Sequence, residues 1–518
     1  MLPDVSEAVD EVSRPSQPSP AQPMPVRPSP VRLATRLFSG AALGKALGFL
    51  RELEIARLLG AGIVTDGYRG AMSAVLLPLL PLLGDLVPAT IIKLHRRWQS
   101  EGRALRMQSA LCAVFLSFGL LGAALLMAFA APWTELMLAG FGDDAKALTV
   151  DFIRIMALVA PALTLLACLA GTELSLGRSR ITVLRAASQN IGVMIGIAVM
   201  AMTGEVLALA WGFVLGNHAV MLYGSIRLWR EGEIGIACLR LGAMAEAGRT
   251  FFGLARPLLA IPVAEQAHQF VERLLSSRLA PGTLASVDYA RTLSETAQYL
   301  VSLPLGYALL SRDSEQQSPA RGRADAIIVP MLALLLPGTI FLALFAPDII
   351  HVALARGAFG ESAVASTAAA LRGIAAGLWA ATLGWVLLSM ATAEGRSKSA
   401  LIVMVAGYGT NILVNFALAE TLGPAGIGLA EAARGLTLLI GAALALGCFG
   451  LLLRRVLQAI PPAMAIAAIG LAVLHIDAPP LARMALGGVV FGMGCGTWLA
   501  VVLPEARRIV WARLRRRS

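Results

Sequence analysis

The chain has 518 residues, 57% of them hydrophobic and only 14% charged, with a net charge of +11 and a mean hydropathy of +0.74. A soluble protein of this length does not reach that hydropathy, so the class is an all-α polytopic membrane protein built from apolar runs of about 20 residues. The positive balance sits in short loops, where arginines orient membrane helices, and no basic run is interleaved with aromatics, so no nucleic-acid partner is expected.

Residues 1–31 are rich in Pro and Ser, cannot bury a core, and read as a disordered tail without the order of a cleaved signal peptide. Fourteen spans follow, at roughly 33–59, 64–92, 107–131, 147–172, 179–203, 206–227, 250–277, 284–310, 325–346, 362–393, 399–419, 424–453, 458–475 and 481–503. The loops alternate in charge. Lys93, Arg96, Arg97, Arg103 and Arg106 share a side with Arg178, Arg180, Arg227, Arg230, Arg240, Arg312, Arg396, Arg454 and the basic tail of 504–518. The opposite loops hold few cations beside Glu135, Asp143, Asp144 and Asp348. That asymmetry predicts both termini in the cytoplasm and an even number of spans.

Two halves look related. Arg51, Gly60, Asp66 and Arg69 recur in order as Arg273, Gly282, Asp288 and Arg291, and Gly177-Arg178-Ser179-Arg180 is echoed by Gly395-Arg396-Ser397-Lys398. Six spans per unit give a parallel repeat, the plan of a two-lobed alternating-access transporter. The expected units are a six-helix lobe over 32–230, an interfacial linker over 231–249, a second lobe over 250–455 and two added helices over 456–503.

Charges inside the membrane mark the candidate site, because they persist only where they face protein or a cavity. On the first span Arg51, Glu54 and Arg57 fall on one face and can pair at i,i+3, with Lys45 and Glu52 opposite. Arg57, near the end of the span, reads as an interfacial anchor, leaving Lys45 and Arg51 for the cavity. Asp66 and Arg69 open the second span, where Asp66 also suits the helix dipole. Asp85 lies deeper, between Pro81 and Pro88. Arg273, Asp288 and Arg291 are the counterparts in the second lobe, and Glu265, His268 and Glu272 form a stripe on span seven. Glu265, Asn411, Asn415 and Glu431 are candidates for holding a coupling ion, Na⁺ or H⁺, against the plainer reading of interhelical hydrogen bonds. No metal spacing joins the five cysteines, and no Walker loop, nucleophile elbow or paired acids in a soluble domain is present, so no cofactor and no catalysis are expected.

Several short motifs, in order over about residues 33–455, resemble the MurJ/MviN lipid II flippases of the MOP transporter superfamily. They are Leu47-Gly48-Phe49-Leu50-Arg51-Glu52, Leu58-Leu59-Gly60-Ala61-Gly62 with Thr65-Asp66, Ala131-Pro132-Trp133, Ala208-Leu209-Ala210-Trp211-Gly212, Arg356-Gly357-Ala358-Phe359 and Gly395-Arg396-Ser397-Lys398. The resemblance implies fourteen helices, two lobes and a central cationic cavity for an undecaprenyl-pyrophosphate-linked saccharide. It also implies a groove for the lipid tail on the last two helices, and a site in the bacterial inner membrane. It implies a monomer, with cell-envelope synthesis proteins as the candidate partners. Arg51 matches the family pattern, Arg291 lies near its helix-eight arginine, and Lys45 stands where an arginine is usual. The arginine pair usual in helix two is absent, which leaves lipid II and an exopolysaccharide or O-antigen unit as alternative cargoes. A cation-coupled drug antiporter is the third.

Overall fold

The computed structural model describes residues 30–84, 86–236, 240–256, 260–313 and 320–502. Asp85 and the two tails lie outside them. All regular structure among the described residues is helical. The first half comprises α1 (Pro30–Leu59), α2 (Ile63–Leu76), the single turn α3 (Leu80–Leu83), α4 (Leu86–Ser100), α5 (Ala104–Ala128), α6 (Ala130–Met137), α7 (Asp143–Met156), α8 (Ala160–Ser175), α9 (Arg180–Thr203) and α10 (Ala208–Arg230). After α11 (Leu241–Ala255) the second half runs α12 (Ala260–Ser277), α13 (Thr283–Asp313), α14 (Ala320–Leu344), α15 (Ala346–Leu354), α16 (Glu361–Ala393), α17 (Ser397–Leu422) and α18 (Pro424–Leu446). The chain then continues in α19 (Phe449–Leu474) and α20 (Pro480–Val502).

Ten helices among the described residues are long and apolar enough to cross a membrane. The other four of the expected fourteen spans are the charged ones, α1, the α2–α4 segment, α12 and α13, whose ionic residues lower their hydropathy. The second expected span is not one helix: the α-helix is interrupted at residues 77–79 and again at Gly84, on either side of a single turn, where Pro78 and Pro81 each remove a backbone donor. The expected boundary near 453–458 is displaced. Gly447 adopts φ +69° and ends α18, as a left-handed C-cap glycine does. Arg454 and Arg455 therefore sit inside α19, where Arg455 pairs with Asp325 at 2.6 Å.

Small residues bring helix backbones together. A Cβ on Gly192 would lie 2.4 Å from the Gly212 carbonyl, and one on Gly377 would lie 2.2 Å from the Ala432 Cα. These contacts form seams between α9 and α10 and between α16 and α18. Without a hydrophobic drive between helices in lipid, such close van der Waals contact holds them together.

The halves meet at one end of the molecule. Gly60 and Gly282, the repeated glycines, both take left-handed backbone with φ +65° and +87°. A Cβ on Gly60 would meet the Ala358 carbonyl oxygen at 2.4 Å, and one on Gly282 would meet that of Ala61 at 2.4 Å. The Ala358 amide donates to the Arg57 carbonyl at 2.9 Å. The contact at this end is main chain on main chain. Gly177 and Gly395, the other repeated turn, share φ +74° and +82°.

Candidate substrate cavity

Charged side chains of α1, α2, α12 and α13 interlock between the halves. Arg51 pairs with Glu52, and Glu52 also pairs with Arg69. Arg69 reaches Asp288 at 3.5 Å and lies 4.2 Å over the Tyr289 ring. Asp288 takes Arg273 at 2.8 Å and Arg291 at 3.6 Å. Arg291 in turn donates to both oxygens of Glu272 at 2.7 Å. Four arginines thus share three carboxylates in one chain of contacts that crosses from one half to the other. Sharing Glu52 and Asp288 gives each of these buried guanidinium groups a counter-charge, although Arg51 Nε, Arg69 Nε and Arg273 Nη1 are buried without a hydrogen-bond partner.

The pairing on α1 differs from the expected strip. Arg51 turns to its neighbour Glu52, which is 5% exposed, while Glu54 pairs with Arg57 at 2.7 Å in an exposed contact. The long arginine side chain reaches round the helix to the buried carboxylate, which has the stronger need of a cation. Asn190 of α9 fixes Arg51 from the other side, accepting at 2.9 Å while its amide donates to the Gly44 carbonyl at 2.9 Å.

Two cavities flank this chain. One of about 200 Å³ is lined by Arg51, Glu52, Arg69, Gln269, Arg273 and Asp288, together with Leu77 and Leu80 from the broken segment. The larger, about 410 Å³, is lined by Lys45, Arg291, Glu295, Gln298, Thr382, Trp385, Glu431 and Arg434. Lys45 meets Glu295 across it at 3.2 Å, with both side chains about half exposed. Six of the seven candidate cavity residues, Lys45, Arg51, Arg69, Arg273, Asp288 and Arg291, therefore belong to this region.

Asp66 does not share it. Its carboxylate accepts the backbone amides of Gly282 at 2.6 Å and Ala285 at 2.8 Å, capping the first turn of α13. Expected to serve its own helix or the cavity, Asp66 instead caps a helix of the other half. The cause is the tight packing at Gly60 and Gly282, which brings α2 against the start of α13.

The candidate ion-holding residues also cluster. Asn415 donates to Asn411 at 2.7 Å, and Asn411 donates to Glu431 at 3.2 Å. Both asparagines are fully buried. Glu431 is held by Arg434 one turn later in a contact from two guanidinium nitrogens, so its charge is already balanced. Glu265 is half-buried on α12. On the same helix His268 stacks on Tyr408 of α17, with ring centroids 4.7 Å apart. No group of His, Cys, Asp or Glu suited to a metal ion occurs among the described residues. Sequence reading overlooked Arg434, although a Glu–Arg pair at i,i+3 inside an apolar helix carries the same signal as Arg51 and Glu52.

A family model described as "Lipid II flippase MurJ" matches residues 55–476. The chain belongs to the MurJ lipid II flippase family. A solved structure described as lipid II flippase MurJ in an inward closed conformation is 17% identical, with TM-score 0.78, and covers 89% of this chain and 98% of that one. An inward-facing multidrug-resistance MATE transporter of the MOP superfamily is 12% identical, with TM-score 0.65, covering 79% and 96%. A MOP superfamily transporter from Pyrococcus furiosus is 14% identical, with TM-score 0.54, covering 84% and 96%. At these identities the likeness is one of fold. Membership in the MurJ family makes the chain a membrane transporter of lipid-linked saccharides, not an enzyme, in a family of the bacterial inner membrane.

Proposed function

We propose that this chain flips an undecaprenyl-pyrophosphate-linked saccharide, lipid II or a close analogue, from the inner to the outer leaflet by alternating access. The carrying observation is the set of cations that converges on the two cavities from both halves: Lys45, Arg51 and Arg69 from one, Arg273, Arg291 and Arg434 from the other. A pyrophosphate is the anion these forks suit, since guanidinium binds phosphate oxygens bidentately. Each arginine contacts a carboxylate in this state, five arginines against the four carboxylates Glu52, Asp288, Glu272 and Glu431. Cargo then enters by partner exchange, its phosphate oxygens taking Arg291 from Glu272 and Lys45 from Glu295.

In this reading the fourteen spans form two six-helix lobes related by a parallel repeat, with both termini in the cytoplasm and α19 and α20 as an addition. The contact at Gly60 and Gly282 is the outer closure, and Asp66 fastens it. The protein works as a monomer, with a coupling ion, Na⁺ or H⁺, drawn through the Asn411–Asn415–Glu431 group near Glu265. Cell-envelope synthesis proteins are the partners to seek. A drug antiporter fits less well: it calls for an uncompensated carboxylate in the cavity, whereas Glu295 and Glu431 each hold a cation.

One observation favours the exopolysaccharide or O-antigen alternative. The break between α2 and α4, which meets the smaller cavity, presents Leu76, Leu77 and Leu80 there, and among its described residues no arginine. Complementation of a strain depleted of its lipid II flippase decides between cargoes. Rescue that is lost on Arg291→Ala supports lipid II; a well-expressed chain that fails to rescue removes lipid II and leaves the other polyprenyl-linked units.

A further inference from the structure

A third cavity, in the first half, shares no lining residue with the two at the charge network. It is about 300 Å³ and is lined by Leu116 of α5, Leu165 of α8, Ile226 and Trp229 of α10, and Ile234 and Ile236 of the following turn. Its floor is fixed: the Gly235 amide donates to Ser109 Oγ at 2.8 Å, tying the turn to α5. Trp229 and Ile236 are 60% and 83% exposed, so the walls are apolar side chains that stand out from the body rather than a core left unfilled. No residue of the central site takes part.

The rim is charged in a selective way. Arg103 is held by Glu246 at 2.6 Å, Arg178 is bound to Glu231, and Arg227 reaches Glu231 at 3.0 Å. Arg106 and Arg230 are exposed and make no ion pair among the described residues. Neither lines the groove itself, but helical spacing places each within one turn of a residue that does. Arg106 precedes Ser109 and Ala113 on one stripe of α5 at i, i+3 and i+7, and Arg230 follows Ile226 by one turn of α10. An apolar slot with an amphipathic indole and two unneutralised guanidinium groups at its loop end complements an acyl chain under an anionic headgroup.

We infer that this groove is a binding site for one anionic phospholipid of the surrounding leaflet, its acyl chain between Leu116, Ile226 and Ile236 and its phosphate over Arg106 and Arg230. The same lipid fastens the turn that leads from α10 toward α11, so the site lies on the connection between the two halves.

Native mass spectrometry of the full chain with phosphatidylglycerol or phosphatidylcholine of matched acyl chains tests this. Phosphatidylglycerol is expected to be retained in preference. A juxtamembrane cation is worth about fivefold in affinity, so Arg106→Gln with Arg230→Gln lowers the preference roughly twenty-five-fold. Ala113→Phe, which fills the groove, lowers retention of both lipids; if that variant does not fold, the exposed arginine pair still decides. Equal retention of the two lipids, or a preference unmoved by the arginine changes, overturns the assignment. Displacement of phosphatidylglycerol by undecaprenyl phosphate also overturns it, by making the groove a tail site for cargo.

Discussion

The carboxylate of Asp66 caps the helix that begins at Gly282, accepting its amide at 2.6 Å and that of Ala285 at 2.8 Å. An acid on one half thus satisfies orphan backbone donors on the other, which otherwise have no partner. In the repeat, the counterpart of Asp66 is Asp288, and it does something else: it gathers Arg69, Arg273 and Arg291. Two positions that correspond in the sequence pattern thus make different contacts, a helix cap at one and charge balance at the other.

Asp66→Ala should loosen the closure. Loss of a helix cap costs about 0.5–2 kcal/mol, a shift of roughly two- to thirtyfold in the balance of closed and open forms. A cysteine placed at the buried Ser286, in a chain without its own cysteines, should react faster with an impermeant maleimide. An unchanged rate would remove Asp66 from the closure.

Asp288→Ala leaves three arginines without their shared carboxylate. Removing one member of a buried ionic group destabilises by about 3–5 kcal/mol. Thermal unfolding in detergent should fall accordingly, and adding Arg273→Gln should restore part of the loss. A double variant as unstable as the sum of both single changes would mean that the two residues do not interact.

Arg434→Ala should weaken cargo capture. A hydrogen bond to a charged group contributes about 1.5–3 kcal/mol, so binding of a polyprenyl-pyrophosphate saccharide should drop about ten- to a hundredfold. Arg434→Lys keeps the charge but not the fork, and should lie between the two. Titration of fluorescent cargo into the purified variants measures this.

Glycine at the closure gives a paired test. Gly282→Ala adds a Cβ 2.4 Å from the Ala61 carbonyl oxygen, whereas the same change at Gly204, with φ +79°, meets nothing within 4 Å. Gly204→Ala should cost only the roughly 1 kcal/mol of left-handed backbone strain, with transport retained. Gly282→Ala should abolish transport at similar expression; equal transport by the two variants would contradict the close-packed closure.

Acid should loosen the loop end of the first half through His95. Its ring is fully buried, 2.7 Å from Ser175 Oγ and 3.5 Å from Glu233. Burial, with Arg96 adding repulsion, lowers its pKa from 6.5 to about 4, and burial pushes the Glu233 carboxyl up. The neutral ring is therefore the folded form. Its contribution is present above pH 6.5 and is lost as pH falls toward 4, by at most about 3 kcal/mol. His95→Gln should flatten the fall in unfolding temperature across that window.

The charges that matter were legible because an ionic residue inside an apolar run has few explanations. Lys45, Arg51, Arg69, Arg273, Asp288 and Arg291 all stood out on that ground, and all line the two cavities or the chain of contacts between them. Their partners were not legible, since Glu52 lies about 100° round the helix from Arg51, off the face that Arg51 shares with Glu54 and Arg57. Side-chain reach and burial chose between Glu52 and Glu54. The destination of Asp66 depended on packing between distant helices, which local spacing does not encode. The thiols of Cys112 and Cys168, scattered in sequence, lie 3.5 Å apart for the same reason.

The closure at Gly60, Gly282 and Gly357 is built from peptide groups touching peptide groups. Apart from the Asp66 cap and the hydroxyls of Thr65 and Tyr289 on the Gly60 carbonyl, its contacts are main chain on main chain, and none comes from the charged residues that line the two cavities. In the proposed mechanism such a barrier stays shut when the residues that line the cavities change. The vulnerable points are the glycines themselves, where any added carbon strikes backbone.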